Sequence, residues 1–600
     1  MNKTFERHLE GFACFEHEVD FCVIGGGLSG ICAAVAAARH GTKVLLMQDR
    51  PMFGGNASSE IRMWISGAHG DNMRETGLQE EMQMENQYRN PDKNAFVWDG
   101  VMFALVKNEP NIESLLNCAC YDCEMRDGRI VSVTGYQMTT QQVHKVRARL
   151  FADCSGDSVL APLTGAAFRM GREARGEFDE SISPVKPDSK TMGMTISLTA
   201  REESRASTFI PPAWAYHYTK EDLLPYRLPS LENVRDNMWY VELGGEADAI
   251  GDTETLRDEL LKIAYGIWDY LKNDPENCEK NRNWRLDWVG ILPGKRESRR
   301  YVGDYIMNQR DVEAGGPFED IIAYGGWKMD DHHPGGFMAR DEKPTIFHPA
   351  PSPYGIPYRC VYARDIPNLM FAGRNISVTH AAVSSTRVQA TCALLGQAVG
   401  TAASVAIAQH TTPRGVYQRY IGLVQQMLME DDCYLPGKKR EIPQLTRKAT
   451  LVCAAAHAQN LLNGHDRTIG QNDNGCYLDK GSEVRFVFDQ PEHVSGMRLI
   501  FDSNLNRDTV PEGKKWNLPK NILHNRPLTW EDTFVPPTMT KCFQIVGKDE
   551  NGKEMLLVEE LNNYQRLCQI ALDVTVKEIA FIPTETWGHE KCHVFSVDVR

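Results

Sequence analysis

The stretch that most constrains the fold is residues 19–50, which read VDFCVIGGGLSGICAAVAAARHGTKVLLMQDR. The apolar runs 19–24 and 44–47 predict two strands, and the Ala-rich run 31–39 predicts a helix between them. The loop that joins the first strand to the helix, residues 25–30, contains G-x-G-x-x-G. This arrangement predicts a β-turn-α-turn-β unit that binds a dinucleotide, with the pyrophosphate on the helix N-terminus.

Each glycine of this loop has its own predicted task. Gly25 permits the tight turn, Gly27 lets the backbone approach the pyrophosphate, and Gly30 lets the helix pack closely on the strand. At the end of the second strand, where an acidic residue usually binds the ribose, this chain has Gln48. A glutamine can hydrogen-bond a ribose hydroxyl without charge, so we expect Gln48 to make this contact, with Asp49 as the alternative.

Length and charge restrict the class of protein. Six hundred residues predict two to four domains, and the net charge of −14 argues against non-specific binding to nucleic acid. The expected partner is a small-molecule substrate, without nucleic acid or membrane, and a homo-oligomer is left open. The run 388–408 is apolar but rich in small residues, and it predicts a buried helix rather than a transmembrane one.

The cysteines predict the compartment. Sixteen are scattered along the chain, and the first twenty residues contain no apolar core of signal-peptide length. We therefore expect mostly free thiols and a cytoplasmic protein. Cys118, Cys120 and Cys123 lie close together, but no second pair follows at zinc-site spacing, so we expect plain thiols on and near a strand.

The fold class expected from these patterns is α/β with an all-β addition. Residues 1–170 and 360–445 predict a discontinuous Rossmann-type nucleotide-binding domain, and residues 171–359 an inserted substrate domain. From 446 to 600, short alternating runs such as EVRFVF, GMRLIF, EIAFIP and HVFSVDV predict an antiparallel β-sandwich. Asp127-Gly128 predicts a hairpin turn.

Three segments together resemble the bacterial FAD-dependent oxidoreductase family, whose nucleotide-binding domain is of the glutathione-reductase type. They are residues 19–62, which end in GGNASSEIR; residues 151–157, FADCSGD; and residues 368–403, where a strand ends in Ala-Gly-Arg and a Gly-Gln helix follows. Three motifs in this order favour FAD, whereas G-x-G-x-x-G alone leaves NAD equally open. Small residues on that helix, among them Gly396 and Gly400, favour close approach to the sheet or, alternatively, tight helix packing.

This resemblance implies FAD as the cofactor and a set of residues that bind it. The implied set is Gly25, Gly27, Gly30, Gln48, Asp49, Arg50, Gly54, Gly55, Asn56, Arg62, Asp153, Gly156, Asp157, Gly373, Arg374, Gly396 and Gln397.

Histidines next to carboxylates supply the candidate catalytic groups. Asp330, His332 and His333 lie in a Gly/Pro-rich loop, where a histidine and an aspartate could act as a general base and its orienting group. His380 lies inside the third segment of the resemblance and is the other candidate. A metal site at Asp330, Asp331 and the histidines is a weaker alternative, because no further ligand is identifiable.

Together these patterns predict hydride transfer between a small polar substrate, such as a saccharide or polyol, and flavin N5. Asn460-Leu461-Leu462-Asn463-Gly464 and the strands after it weakly resemble discoidin-like, galactose-binding modules of jelly-roll type, which favours a sugar. Two alternatives stay open. One is a flavin reductase of an activated double bond, with Arg296, Arg299, Arg374 and Arg387 as a carboxylate clamp, and the other is a non-redox carbohydrate-binding protein.

Overall fold

The computed structural model describes residues 11–229, 231, 238–507 and 534–600. These residues form two compact units. The first contains 11–67, 93–229, 231 and 238–421, and the second contains 68–92, 422–507 and 534–600. The division differs from the predicted domains in three ways: residues 171–359 belong to the same unit as the nucleotide-binding motifs, whereas residues 68–92 and residues 422–445 belong with the C-terminal strands.

The strands of the described residues are β1 (Cys14–Ile24), β2 (Val44–Met47), β3 (Ile112–Leu115), β4 (Cys118–Arg126), β5 (Arg129–Gln137), β6 (Gln142–Asp153), β7 (Phe168–Arg169), β8 (Met194–Thr195), β9 (Leu198–Glu202), β10 (Glu242–Leu243), β11 (Trp284–Val289), β12 (Gly294–Lys295), β13 (Arg300–Tyr301), β14 (Ile321–Gly325), β15 (Met329–His332), β16 (Thr345–His348), β17 (Tyr354–Pro357), β18 (Leu369–Phe371), β19 (Thr450–Val452), β20 (Cys476–Leu478), β21 (Val484–Phe501), β22 (Thr540–Lys548), β23 (Glu554–Glu560), β24 (Leu567–Thr586) and β25 (Cys592–Val599).

The α-helices are α1 (Leu28–Arg39), α2 (Leu78–Arg89), α3 (Ala95–Lys107), α4 (Leu160–Thr164), α5 (Arg175–Phe178), α6 (Lys220–Leu223), α7 (Thr253–Asn273), α8 (Gln309–Glu313), α9 (His380–Thr386), α10 (Gln389–Ala408), α11 (Pro413–Glu430) and α12 (Gln444–Lys448).

A mostly parallel sheet organises the first unit. Its order is β3-β2-β1-β6-β5-β4, with β18 pairing the other edge of β6. Strands β3, β2, β1, β6 and β18 run parallel, whereas β4 and β5 form an antiparallel hairpin through the predicted Asp127-Gly128 turn. The parallel β1–α1–β2 connection confirms the predicted Rossmann-type unit. The parallel pairing of β1 with β6 brings the ends of these two strands side by side, with Ile24 opposite Asp153.

Helix α10 packs mainly against α1 and also contacts strand β6 of the sheet, so its small residues serve helix packing without excluding approach to the sheet. A Cβ on Gly396 would lie 2.0 Å from the Ser29 carbonyl oxygen, and a Cβ on Gly400 would lie 2.2 Å from the Ala33 carbonyl oxygen. The two glycines therefore let two helix backbones touch. By length and composition α10 is the one helix of the described residues that could cross a membrane, and 94% of its apolar window is buried within the protein.

Residues between β7 and β17 add short sheets and a second apolar core to the first unit. The three-stranded sheet has the order β10-β8-β12, and β15 pairs β16 in a two-stranded ribbon. Helix α7 buries Leu260, Ile263 and Ile267 against Met194 and Leu198 from strands β8 and β9. This packing fixes the positions of β10, β12 and β15, which carry charged side chains.

The second unit is built on a seven-stranded antiparallel sheet with the order β20-β25-β21-β24-β22-β23, and β19 pairs β21. The runs EVRFVF and GMRLIF, expected as two strands, form the single strand β21. Register shifts after Val487 and Val494 let β21 continue against β24 through the intervening polar residues. Its core includes Phe486, Leu499 and Phe581.

All sixteen cysteines are free thiols. Burial raises the pKa of Cys118 and of Cys123 to about 12. They lie on β4, as expected.

Candidate active site

The G-x-G-x-x-G loop closes tightly behind the helix N-terminus. Gly25 has φ +99°, and a Cβ there would lie 2.5 Å from backbone atoms of Cys154 and Ser155. A Cβ on Gly30 would lie 1.8 Å from the Gly25 carbonyl oxygen. Gly27, the N-cap of α1, has nothing nearer than 4.0 Å to its Cβ position. The loop is thus crowded on the protein side and open at Gly27, as a pyrophosphate cradle requires.

Gln48 fastens this loop from the end of β2. Its Oε1 accepts the Gly26 N–H at 2.7 Å, and its Nε2 donates to the Met52 carbonyl at 3.2 Å. The backbone donor fixes which end of the amide is the oxygen, so the NH2 group is the end left for a ribose hydroxyl. Asp49 lies beyond the strand and is exposed. The role of either residue toward a ribose stays a prediction.

The loop after β2 lies against the first glycine loop. Gly54 has φ +110°, its N–H donates to the Gly26 carbonyl at 2.8 Å, and a Cβ on Gly55 would lie 3.1 Å from Gly27 Cα. Asn56 donates to the Lys295 carbonyl at 3.1 Å, which joins this loop to β12.

Two arginines of the predicted set are held by other side chains. The Arg62 guanidinium lies 4.4 Å from the Trp288 ring centroid, and burial lowers the pKa of Arg62. Arg50 lies 3.8 Å from Glu60. Cofactor contacts for Arg50 and Arg62 stay predictions.

The two aspartates at the turn after β6 have different partners and different roles. Asp153 is fully buried and accepts hydrogen bonds from Ser155, from the Leu160 N–H and from the Tyr301 hydroxyl, so it stabilises the turn itself. Asp157 accepts bonds from Lys295 and Arg374. Burial would raise the pKa of Asp157, but these two cations lower it to about 2.

A Cβ at Gly156, where φ is +79°, would lie 2.5 Å from Arg374 Nη1. Gly373, directly before this arginine, has φ +118°. Close approach at both glycines therefore brings Arg374 to Asp157.

Buried polar atoms without a partner show that this region fits a bound dinucleotide. Arg374 Nε, Asn375 Oδ1 and Thr391 Oγ1 are buried and make no hydrogen bond within the protein. A polar atom buried in this way costs about 1–3 kcal/mol unless a ligand or water satisfies it. Together with the open helix N-terminus at Gly27, these atoms suit a cofactor with a pyrophosphate and a polar ring. Gln397 is buried on α10, and its contact with a cofactor stays a prediction.

Strand alternation on β15 sends its charged side chains to two faces. Asp330 and His332 share one face, where Asp330 Oδ2 lies 3.2 Å from His332 Nε2. On that face His332 Nδ1 lies 2.6 Å from Glu242 Oε2. Asp331 points to the other face, where its Oδ1 lies 3.1 Å from Nε2 of His380.

The first face is a closed group of opposite charges. Arg296 lies 3.3 Å from Glu242, and Arg387 lies 3.2 Å from Asp330. Burial would raise the pKa of Asp330, but His332 and Arg387 hold it well below its usual range. Both nitrogens of His332 lie within hydrogen-bond distance of carboxylates, and Arg296 and Arg387 pair with these carboxylates, so the group is closed to a substrate in this arrangement.

The second face surrounds His380 with carboxylates. His380 Nδ1 lies 2.9 Å from Glu297 Oε2, and its backbone N–H donates to Glu173 at 2.8 Å. Arg300 pairs with both of these glutamates. Burial alone would lower the pKa of His380, but Glu297 and Asp331 raise it to about 10. The ring is therefore an imidazolium at neutral pH, with a proton on each nitrogen.

Asp331 is the partly solvent-exposed partner of this imidazolium. Its side chain is 22% exposed, whereas that of His380 is 4% exposed and that of Glu297 is buried. Burial would raise the pKa of Asp331, but His380 lowers it. A carboxylate with one oxygen on an imidazolium and partial exposure can pass a proton in either direction.

His333 lies apart from both groups. Its Nδ1 accepts the Gly335 N–H at 3.2 Å within a local turn. Across residues 11–229, 231, 238–507 and 534–600, no group of three or more His, Cys, Asp or Glu side chains is arranged to hold a metal ion.

Comparison with known proteins identifies the family. A family model described as FAD dependent oxidoreductase matches residues 20–428, about two thirds of the chain. The chain belongs to the FAD-dependent oxidoreductase family. FAD is therefore its cofactor. No curated protein matches the chain.

Solved structures give weaker likenesses to this FAD-dependent oxidoreductase. A geranylgeranyl bacteriochlorophyll reductase-like protein from Thermoplasma acidophilum is 12% identical over 70% of this chain and 85% of its own, with a TM-score of 0.30. A family 32 carbohydrate-binding module from Streptococcus pneumoniae EndoD is 14% identical over 25% of this chain and 94% of its own, with a TM-score of 0.18. Scores this low support no inference about fold or activity.

Sequence reasoning did not find the glutamate partners of His380 and His332 in this FAD-dependent oxidoreductase. Glu297 and Glu242 precede their histidines in the chain by 83 and 90 residues. In the run Arg296-Glu297-Ser298-Arg299-Arg300, sequence reasoning named only Arg296 and Arg299, as part of a carboxylate clamp. The alternation of this run is the available signal, because Arg296 turns to the His332 group and Glu297 to the His380 group.

Proposed function

We propose that this FAD-dependent oxidoreductase transfers hydride between flavin N5 and a carbon that carries a hydroxyl or carbonyl group in a small polar substrate. When bound, FAD supplies the two-electron acceptor or donor. The observation that carries the proposal is the His380 imidazolium, bonded through both nitrogens to Glu297 and Asp331. Such a reaction needs a group that holds the transferred proton, and His380 is that group, next to the partly exposed carboxylate of Asp331.

The proton and the hydride move separately. In the oxidative direction the hydroxyl proton leaves through Asp331 to a deprotonated His380, while the hydrogen on carbon leaves with its electron pair as hydride. In the reductive direction His380 returns its proton through Asp331 to the carbonyl oxygen. Because the pKa of His380 is raised to about 10, the protonated form dominates at neutral pH and favours reduction. This refines the sequence expectation of a neutral histidine base.

Unsatisfied donors near the junction of α9 and α10 support a hydroxylated substrate such as a saccharide or polyol. Trp327 Nε1, Thr386 Oγ1 and Arg387 Nε are buried without a hydrogen-bond partner in the protein. Trp327 is tied to this junction because its carbonyl accepts the Ser385 hydroxyl. Sites with unmatched polar groups prefer ligands that supply the missing bonds.

The alternative of an activated double bond next to a carboxylate has less support. It needs free cations, but three of the four arginines of the expected clamp are paired, Arg296 with Glu242, Arg374 with Asp157 and Arg387 with Asp330. The fourth, Arg299, donates to the Asp157 carbonyl at 3.3 Å. A non-redox role would give no function to the buried, protonated His380. Both alternatives remain outcomes of the experiment below.

The test is stopped-flow spectroscopy of flavin absorbance, with sugars and polyols as reductants and the matching carbonyl compounds as oxidants. We expect the rate of flavin reduction by the alcohol to rise from pH 7 toward about 10, and the rate of reoxidation by the carbonyl to fall over the same range. His380→Asn should lower both rates by about 10²–10⁴-fold and remove the pH dependence.

The matched control is His333→Asn, since the His333 ring accepts the Gly335 N–H and takes no part in the hydrogen bonds of the His332 and His380 groups. This variant should keep the wild-type rates and pH profile. A His380→Asn enzyme with wild-type pH dependence would contradict the role of His380. Reoxidation by enoates alone would move the function to the double-bond alternative, and ligand binding without any flavin change would favour the non-redox one.

The setting of this reaction is also part of the proposal. Sixteen free cysteines support a reducing, cytoplasmic compartment. We expect a small-molecule substrate without nucleic acid or membrane, and a homo-oligomer stays open. Sugar binding by the second unit, as a discoidin-like module, likewise remains a proposal.

A further inference from the structure

A basic cleft lies in the first unit, at the junction between the C-terminus of α10 and the N-terminus of α11. Its volume is about 480 Å³, which is large enough for a metabolite-sized ligand. Arg129 from β5, Arg149 from β6 and Arg419 from α11 line it, together with His410 and Thr411 from the turn between the helices.

The cleft has a charge opposite to that of the whole molecule. No aspartate or glutamate is among its lining residues, whereas the protein has a net charge of −14. The nearest ion-pair partner is Asp20, whose carboxylate lies 3.8 Å from Arg149 and also accepts the Lys43 N–H. One carboxylate at this distance leaves three guanidinium groups with an excess of positive charge.

The three arginines are held to different degrees. Arg149 donates to the Ile407 carbonyl at 3.1 Å and lies 3.0 Å from His410 Nδ1. Arg419 donates to Thr411 Oγ1 at 2.6 Å, and the absence of a side chain at Gly415 makes room for this contact. Two of the three are thus positioned by neighbouring groups.

Arg129 provides the free charge. Its guanidinium makes no hydrogen bond or ion pair with any residue that the structure describes, although it lies beside two further arginines. Like charges held close together repel each other, and an anion between them relieves that repulsion.

We propose that this cleft binds a small phosphorylated ligand. Guanidinium groups match phosphate oxygens with two parallel N–H···O bonds, and three of them around one cleft suit a phosphate ester or diphosphate. Helix α11 starts at this cleft, with Thr412 as its N-cap: its Oγ1 accepts the Gly415 N–H at 3.1 Å. The positive end of the helix adds to the attraction for an anion.

The site is separate from the flavin motifs. The glycine loop follows β1, whereas the cleft is lined by Arg149 in the middle of β6 and by residues that follow α10. Binding is therefore measured on the FAD-loaded protein, in which the pyrophosphate site of the cofactor is filled. A negative binding result would not bear on the proposed redox function, because the experiment measures binding and not turnover.

The experiment is calorimetric titration of the FAD-loaded protein with inorganic phosphate and pyrophosphate at constant ionic strength. We expect pyrophosphate to bind more tightly than phosphate. Arg129→Gln should raise the Kd for pyrophosphate by about ten- to hundredfold, because a hydrogen bond to a charged group is lost. Retained flavin absorbance will show that each variant is folded. Adding Arg149→Gln and Arg419→Gln should abolish binding.

The control is Arg282→Gln, since Arg282 is an exposed arginine of the same unit that pairs with Glu279. It should bind pyrophosphate with the wild-type Kd. Equal binding by Arg129→Gln and wild type would overturn the proposal. So would a binding signal from sodium chloride, titrated at the same ionic strength, that equals the signal from pyrophosphate. Citrate that binds as tightly as pyrophosphate would overturn the phosphate class.

Discussion

At the scale of single residues, the environment of a titratable group decides its chemistry more than its type does. His332 and His380 were equally good candidates from the sequence, and both lie between two carboxylates. They differ in access. The His332 group is closed by Arg296 and Arg387, whereas the His380 group reaches the outside through Asp331. Sequence reasoning could name the histidines but not this difference, because the partners come from distant strands.

Glu75 gives a second case, this time in the second unit. It is fully buried, its Oε1 accepts the Ala68 N–H at 2.7 Å, and its Oε2 has no partner in the protein. Burial raises the pKa of Glu75 from 4.5 to about 7. Because the folded pKa exceeds the unfolded one, the contribution to stability is complete below pH 4.5 and is lost as the pH rises through 7.

Glu75→Gln should therefore stabilise the protein at pH 8 by roughly 1–3 kcal/mol and have no stabilising effect at pH 4. The glutamine keeps the acceptor for Ala68 and removes the buried charge. The free energy of unfolding, measured with urea from pH 4 to pH 8, checks this. Glu550→Gln, at an exposed position, should leave the curve unchanged. Equal stability of Glu75→Gln and wild type at pH 8 would show that Glu75 ionises without penalty.

At the scale of elements, local patterns were sufficient where neighbours in sequence are neighbours in space. Strand β2 begins and ends at the predicted residues, Val44 and Met47, and α10 begins one residue after the predicted 388. Periodicity could not show that β21 would run through the polar residues 489–493, because pairing with β24 stops after Val487 and resumes at Glu492. Nor could it show that Gly396 and Gly400 of α10 face α1.

The contact between α1 and α10 leads to a direct prediction. Gly400→Ala places a Cβ 2.2 Å from the Ala33 carbonyl oxygen, so the helices must move apart. We expect a loss of about 2 kcal/mol or more in the free energy of unfolding. We also expect weaker FAD retention, because the glycine loop precedes α1. Thermal unfolding and the ratio of flavin to protein absorbance measure the two effects.

Gly100→Ala is the matched control for this substitution. Gly100 lies within α3, and nothing lies within 4 Å of its Cβ position. Alanine there should raise stability by up to about 1 kcal/mol, since glycine is a poor helix former. If Gly400→Ala were as stable as Gly100→Ala, the close approach of the two helices would not limit stability.

At the scale of the whole molecule, the division into units departs most from the sequence expectation. Helix α2 belongs to the second unit, where Met84 enters the core and Tyr88 stacks on Tyr564 with ring centroids 3.9 Å apart. Glu80 pairs with Arg507 through both carboxylate oxygens. The polar composition of 76–110 gave no signal of this, because the partner residues lie more than 400 positions away.

A fragment of residues 446–600 should accordingly be less stable than the same region in the whole protein. Without Met84 and Tyr88 its core is exposed on one side, and without Glu80 the buried Arg507 guanidinium loses its carboxylate partner, which costs about 3–5 kcal/mol. A synthetic peptide of residues 68–92 should raise the Tm of the fragment. A Glu80→Gln, Met84→Ala, Tyr88→Ala peptide is the control and should have no effect. A Tm that is unchanged by the native peptide would contradict the prediction.

The membership of α2 in the second unit also bears on the synthesis of the protein. Roughly 330 residues separate Asp92 from Gly422, where the same unit resumes. At about 5–20 residues per second, the ribosome takes roughly 15–65 seconds to make them. During that time Met84 and Tyr88 have no strands to pack against, although the neighbouring segments are complete enough to fold. The nascent chain must therefore keep the Met84 and Tyr88 side chains from non-native contacts, and a chaperone that binds this segment would raise the yield of native enzyme.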